Sequence, residues 1–356
     1  MHSPTAKNHE CHQCEISDKY LIEYGYDKCN LLISGKQSEE EIKLNNEILA
    51  ICQSYKYLGL KYNSKGNLDE QIKHLKGKVE AAYQTITFIT QNPNISSLGL
   101  KAIWTLVDTC ILPTILYAAE TLFMTKKDKE KYNSIFTQIL KRIMGVATSM
   151  PNTAILIETG YISIEKMIEK RRILFLRRLK NLNNESLAKN IIYEENNIWK
   201  AETQDIMQKL EIQDVNEKKE KLKKRVNEAQ AIEWIEEVHT ESSSKSKVNY
   251  LISNSNRNIL QRPDYMNQMS RNQARNILIY RTRMVKVKCN YKKMFTDTTC
   301  RWCKKKEETQ KHILEECEEF PVDRHNLKEK DIFSNNLEAL KECSIIINEI
   351  NEECEK

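Results

Sequence analysis

"LDEQIKHLKGKVEAAYQTITFI", residues 68–89, is where the pattern of the chain changes. Leu68, Ile72, Leu75, Val79, Ala82 and Ile86 recur every three or four residues, which places them on one face of a helix. Upstream the pattern is different. "CNLLISG" (29–35) predicts a strand ended by Gly35, and "EIKLNNEIL" (41–49) a hairpin around Asn45-Asn46. "YKYLGLKYN" (55–63) predicts another strand, closed by the turn "SKGN" (64–67). Strands so few and short do not make a stable domain alone. They read as the last part of a sheet whose other strands lie outside the chain.

Downstream, helical signals dominate. "NPNIS" (92–96) breaks the first helix, and Ser96 or Ser97 is placed to cap the next. A long helix is expected from Lys126, with Gly145 as its stop. Another is expected over 163–182, with Ile164, Ile168, Leu174 and Leu179 on one face. Residues 200–240 predict one highly charged helix, and "HTESSSKSK" (239–247) a linker. The expected fold class is therefore mainly α, with a small β portion at the N-terminal end.

Composition agrees. The chain has 356 residues, of which 40% are hydrophobic and 30% charged, and glycine is scarce; that balance favours helices over sheets. The run "AIWTLVDTCILPTILYAAETLFM" (102–124) is interrupted by Asp108, Pro113 and Glu120. Two buried helices joined or kinked at Pro113 are expected there, not a membrane span, so no membrane partner is expected. The start, "MHSPTAKNHECHQC", has no apolar leader, and the eleven cysteines are scattered. Both features predict an intracellular protein, nuclear or cytoplasmic, without a disulfide framework. From Lys245 to Cys317 there are 17 Lys and Arg against 6 Asp and Glu; from Glu318 onward 11 acidic residues face 5 basic ones. A basic body with an acidic tail suits a polyanion partner, although a solvated lysine-rich surface has the same composition.

The sharpest chemical signal is "CRWCKKKEETQKHILEEC" (300–317). Cys300 and Cys303 form a C-x2-C pair whose thiolates can bind one ion from the same side. His312 follows after eight intervening residues and Cys317 after four more. If a short helix begins at Thr309 and its last turn loosens, His312 and Cys317 share one side, with Ile313 and Leu314 packed beneath. A Cys3His set suits tetrahedral zinc, and a set with every position filled by protein is structural, not catalytic. Glu307, Glu308, Glu315 and Glu316 are expected as exposed charges. The upstream "ECHQCE" (10–15), with Cys11, His12 and Cys14, lacks a fourth ligand nearby.

Several segments, taken in order, resemble the C-terminal part of non-LTR (LINE-type) retrotransposon reverse transcriptases. "YKYLGLKYNSKGNLDEQI" (55–72) is similar to the segment that ends that family's palm, its primer grip. Leu116-Tyr117-Ala118-Ala119-Glu120-Thr121 resembles the thumb motif whose usual form is Leu-Tyr-Gly-Ala-Glu-Thr, with Ala118 in place of the glycine. "IFTQILKRIMGV" (135–146) and "EKRRILFLRRLKNL" (169–182) resemble the two helices that follow, and residues 300–317 the terminal CCHC knuckle. The resemblance covers about residues 20–320.

It implies an RNA-directed DNA polymerase for the intact protein. That activity needs an aromatic-x-Asp-Asp motif holding magnesium, and this sequence contains no Asp-Asp pair. Lys28 occupies the place of a late-palm lysine that cannot act without those metals. The chain is thus expected to be catalytically inactive alone. The alternatives are a fragment of an active enzyme completed by upstream sequence, and a zinc-binding structural or interaction remnant.

The resemblance implies these modules: 1–66, a palm remnant with the primer-grip-like strand; 67–183, a helical thumb-like bundle; 184–247, a charged helix and linker; 248–320, a basic region with the zinc knuckle; and 321–356, an acidic helical tail. It implies RNA or DNA as partner, held through the backbone with little sequence preference. Tyr57, Leu58 and Gly59 would contribute from the primer grip, and Lys141, Arg142, Arg171, Arg172, Arg177 and Arg178 from the thumb. Arg281, Arg283, Lys286 and Lys288 alternate with apolar residues, as in a strand that displays its cations on one side. Tyr280, Tyr291 and Trp302 are candidate stacking groups. Salt-bridged surface arginines and core aromatics are the competing structural expectation.

Overall fold

A computed structural model describes residues 29–34, 42–44, 47–91, 98–194, 197–255, 258–324 and 327–355. Lys28, Ser96, Ser97 and the Cys11–Cys14 segment lie outside the described residues. The chain divides into two compact units, Met1–Gly77 and Lys78–Lys356.

In the first unit the strands pair two by two. β1 (Asn30–Leu32) runs parallel to β4 (Ala50–Cys52), with Leu31 opposite Ile51. β2 (Lys43–Leu44) and β3 (Glu47–Ile48) pair antiparallel, as the expected hairpin needs, and its Asn45-Asn46 turn lies outside the described residues. The stretch 55–63 corrects the sequence expectation, because it is a hairpin and not one strand. β5 (Ser54–Tyr57) turns back onto β6 (Leu60–Asn63), with Tyr57 opposite Leu60. The turn residues Leu58 (φ 46°) and Gly59 (φ 84°) are both left-handed. A two-residue loop of that hand matches the twist of the flanking strands. Tyr57 and Leu58 stand exposed at its tip.

α1 (Asp69–Gln91) follows, with Ile72, Leu75, Val79 and Ile86 buried as their spacing predicts. The apolar run 102–124 is helical as far as Ile115, with one widened turn, and continues as turns and irregular chain. α2 (Leu100–Leu106) passes through a π segment (Val107–Ile111) into α3 (Leu112–Ile115), with Pro113 in the first turn of α3. Proline has no N–H to give the carbonyl four residues back, and its ring displaces the chain there. Leu112 N–H reaches Val107 O across the wide turn, and the Thr114 hydroxyl donates to Cys110 O at 2.7 Å. Among the described residues, no helix is long and apolar enough to cross a membrane.

Ala118, the residue in the glycine position of the thumb-like motif, has φ 51°. That conformation favours glycine, since a Cβ crowds the following carbonyl. α4 (Lys126–Met144) opens on a capping box between Thr125 and Asp128 and ends at left-handed Gly145. α5 (Asn152–Thr159) ends at Gly160, also left-handed. α6 (Ile164–Lys180), capped by Ser163, is the central helix: α4, α7 (Leu187–Tyr193), α8 (Ile198–Lys209) and α9 (Lys219–Ser244) pack on it. Ile173, Leu176, Ile206, Val215 and Val226 share one core cluster there.

Two further expectations are corrected. The charged helix over 200–240 is two helices, broken where Glu211 turns left-handed (φ 54°) and Ile212 and Val215 drop into the core. The serine-rich 239–247 is not a linker. The hydroxyls of Ser242, Ser243 and Ser244 donate to the carbonyls of His239, Thr240 and Glu241, so the helix continues. Only Lys245 then separates α9 from α10 (Ser246–Asn254), and these two helices pack together.

The acidic tail folds as a helix. After α11 (Tyr265–Gln268), α12 (Arg271–Arg281) and α13 (Glu329–Ile332), α14 (Leu337–Glu355) docks along α12. It buries Leu340, Cys343, Ile347 and Ile350 and turns most of its glutamates outward.

Candidate metal centre

The C-x2-C pair closes a small hairpin. Thr299 and Glu307 bridge, and Cys300 N–H donates to Lys306 O at 2.8 Å. Lys304 turns the tip with φ 55°. Beyond it, Thr309 caps a short helical turn, its hydroxyl oxygen accepting from His312 N–H at 3.0 Å. The turn then loosens: residues 312–316 are π-helical, and Cys317 N–H donates to His312 O at 2.8 Å. This is the widening the spacing required.

The ligand atoms of Cys300, Cys303, His312 and Cys317 all lie within 4.8 Å of one another, and the group could hold a metal ion. Cys300 Sγ stands 3.7 Å from Cys317 Sγ, and Cys303 Sγ stands 3.3 Å from His312 Nε2. Cys300, Cys317 and His312 are buried, as are Ile313 and Leu314 beneath them. His312 Nδ1 is buried without a hydrogen bond, with Glu316 Oε2 3.6 Å away. The backbone N–H of Lys305 pulls the Cys303 thiol down to about 6, with His312 and the Lys306 N–H acting the same way. Burial pushes the Cys317 thiol up to about 12, and Cys300 beside it adds to the rise. A cation among these sulfurs would favour the thiolate at both.

Glu308 corrects the sequence expectation, because it is fully buried. Its Oε1 accepts from Lys288 N–H (3.0 Å) and Arg301 Nη2 (2.7 Å), its Oε2 from Arg301 N–H and Nε (both 3.0 Å). Burial raises its carboxyl, but these donors outweigh burial and the net shift is downward. One signal was present in the sequence. Side chains alternate along a paired strand, so two adjacent glutamates after a C-x2-C tip point to opposite faces, one of which can be the inside of the knuckle.

Most of the cations expected to meet nucleic acid have partners inside the protein. Lys141 is buried, donating to Thr148 O and Asn152 Oδ1. Arg142 pairs with both Glu80 oxygens and lies over the Tyr83 ring. Arg171 pairs with Glu120. Arg172 is buried against Glu202, the Trp199 carbonyl and the Trp199 ring. Arg177 donates to Glu217 O. Arg178 is exposed, and among the described residues nothing pairs with it.

The stretch 276–293 corrects the expected strand. Ser270 and Gln273 form a capping box that starts a helix, and Arg281 ends it. Arg281 is buried, donating to Ile332 O and Ser334 O. Arg283 lies over the Tyr250 ring, Lys286 pairs with Glu355, and Lys288 with Asp297. Of the expected stacking groups, Tyr280 is buried, Tyr291 donates to Met284 O, and Trp302 packs edge-on against Phe320.

Sequence reasoning passed over the lysines around the hairpin itself. Lys292, Lys293, Lys304 and Lys305 are exposed and, among the described residues, unpaired; Met294 and Phe295 are exposed beside them. The run "KKK" (304–306) at a turn was the available signal. No family model, curated protein or solved structure matches this chain.

Proposed function

We propose that this chain is a zinc-ordered nucleic-acid-binding module of the non-LTR reverse-transcriptase type, comprising a palm end, a thumb and a terminal knuckle, without polymerase activity of its own. The observation that carries the reading is the convergence of Cys300, Cys303, His312 and Cys317 at the end of that ordered series of segments. The spacing suits zinc. With Zn–S of about 2.3 Å, two sulfurs of a tetrahedron stand about 3.8 Å apart. The Cys300–Cys317 separation is 3.7 Å. A set closed by four protein ligands contributes folding energy, since so small a hairpin buries too little to fold alone. The left-handed Ala118 supports the family reading, because its backbone has the conformation that the family's glycine would favour.

Magnesium belongs only to an intact enzyme with the Asp-Asp pair. What remains here is backbone binding. Lys292, Lys293, Lys304 and Lys305 offer point charges to phosphates, and Phe295 an exposed ring. The internal partners of Arg172, Arg281 and Lys141 favour a second reading, a metal-ordered structural module without nucleic-acid affinity.

One set of measurements separates them. The purified chain should carry one zinc, and cobalt in its place should give thiolate charge-transfer bands. Retention of a structured RNA should fall steeply between about 50 and about 200 mM salt. Lys304→Glu with Lys305→Glu should reduce the slope of log affinity against log salt by about 2. Metal-loaded chain that retains neither RNA nor DNA at the lower salt leaves the second reading standing. A chain that takes up neither zinc nor cobalt refutes both. Primer extension with magnesium should yield no product.

A further inference from the structure

We infer that half-buried Arg301 and buried Glu308 form a clamp that positions the metal ligands and couples metal loading to the docking of the C-terminal helix. The inference rests on the metal reading above and goes beyond it, to residues that are not ligands.

Arg301 lies between the two cysteines of the C-x2-C pair. Its backbone N–H donates to Glu308 Oε2 at 3.0 Å, so the carboxylate holds the peptide that joins the ligands. Its guanidinium meets the same carboxylate through Nε (3.0 Å) and Nη2 (2.7 Å), a two-pronged pair that fixes orientation as well as distance. Glu308 is fully buried, and both of its oxygens are engaged. Its backbone joins the same unit, with its N–H donating to Thr298 O and its carbonyl accepting from Cys289 N–H. The loop between the two cysteines cannot rearrange internally without breaking this pair.

The same guanidinium reaches away from the metal site. Nη1 donates to Cys354 O at 3.0 Å, and Nη2 to Lys286 O at 3.3 Å. Cys354 lies in the last turn of α14, where carbonyls have no partner within the helix. Arg301 thus caps that helix end, and its charge complements the negative pole there. Lys286 pairs with Glu355 at the same end. Further up, Asn276 Nδ2 donates to Ser344 O at 3.1 Å, a contact without connection to the knuckle. The last turn of α14 therefore depends on the knuckle, and its middle does not.

Linkage follows. Metal would tighten the loop that carries Arg301, and in this scheme its loss leaves the guanidinium held by Glu308 alone and less firmly set against Cys354 O. With metal, Arg301 is held where it caps Cys354. Whatever metal gives to docking, docking returns to metal affinity. Arg301 and Glu308 are positioning residues in this scheme.

The test uses the full-length chain, with zinc affinity from chelator competition and amide exchange over residues 350–355 with and without zinc. In the unaltered chain, zinc should slow exchange at the last turn while leaving residues 340–347 unchanged. Arg301→Ala and Glu308→Gln should each weaken zinc binding about tenfold to a hundredfold. Arg301→Ala should also abolish the zinc-dependent protection of 350–355. Arg301→Lys keeps the charge without the fork, and should weaken zinc binding even if the alanine variant does not fold. An unaltered chain whose 350–355 exchange ignores zinc overturns the coupling. Arg301→Lys and Glu308→Gln variants that bind zinc as tightly as the unaltered chain overturn the positioning. A chain that takes up no metal overturns the metal reading and this inference with it, so the two failures are distinguishable.

Discussion

Glu169 faces inward from α6, only 4% exposed, and its Oε2 has no hydrogen bond. Burial raises its carboxyl from 4.5 to about 7. Lys209 on α8 opposes the rise, Glu165 on the same helix and Glu233 on α9 add to it, and Lys129 on α4 opposes it. The direction sets the sign. Below about pH 4.5 both folded and unfolded chains carry the proton, and the group does not affect stability. Between about 4.5 and 7 the folded chain keeps a proton that the unfolded chain has lost, so stability falls as pH rises. Above about 7 the penalty is complete. At about 1.4 kcal/mol per tenfold change in proton affinity, the full effect is about 3 kcal/mol. Glu169→Gln removes the titration while keeping the shape. Urea unfolding of both chains across pH 5 to 8 should show the variant gaining stability relative to the unaltered chain by about 2 to 3 kcal/mol over that range. A constant offset, whatever its sign, reports the swap of an oxygen for an amide and does not bear on titration. A stability difference with no slope across that range would refute the burial argument.

Two backbone predictions follow from left-handed residues. A Cβ at Gly160 (φ 70°) would lie 2.6 Å from Arg262 N, whereas one at Gly145 (φ 66°) would meet only arginine side-chain atoms at 3.5 Å or more. Gly160→Ala should therefore cost about 3 kcal/mol or more, and Gly145→Ala about 1 kcal/mol; equal losses in thermal unfolding would contradict the steric account. Ala118→Gly should stabilise the chain by up to about 1 kcal/mol, because relief of the crowded Cβ exceeds the added freedom of the unfolded chain. A fall in melting temperature on that change would remove the left-handed Ala118 as support for the family reading.

The helices and the ligand set were legible because their signals are local. Gly145 stops α4, the helical period of α6 opens at Ser163, and a loosened turn is the condition on which His312 and Cys317 share one side. Each depends on residues a few positions apart. The same locality misled where a pattern had two outcomes. Period-two cations at 281–288 suited a strand, but the helix capped at Ser270 runs to Arg281, and residues 282–287 follow it as a turn and irregular chain. Serines at 242–244 suited a linker, but their hydroxyls found carbonyls in the preceding turn.

The sequence by itself determined that the chain is mainly helical, where α1, α4 and α6 lie, and which four side chains could share an ion. Only the tertiary structure decided which charges remain free. Arg172 meets Glu202, Arg281 meets Ile332 O, and Arg301 meets Cys354 O, partners 30, 51 and 53 residues away. A cation's composition and spacing are the same whether it faces water or a buried carbonyl. The difference arises when distant segments close over it, where leaving either group unpaired would cost more than ordering both.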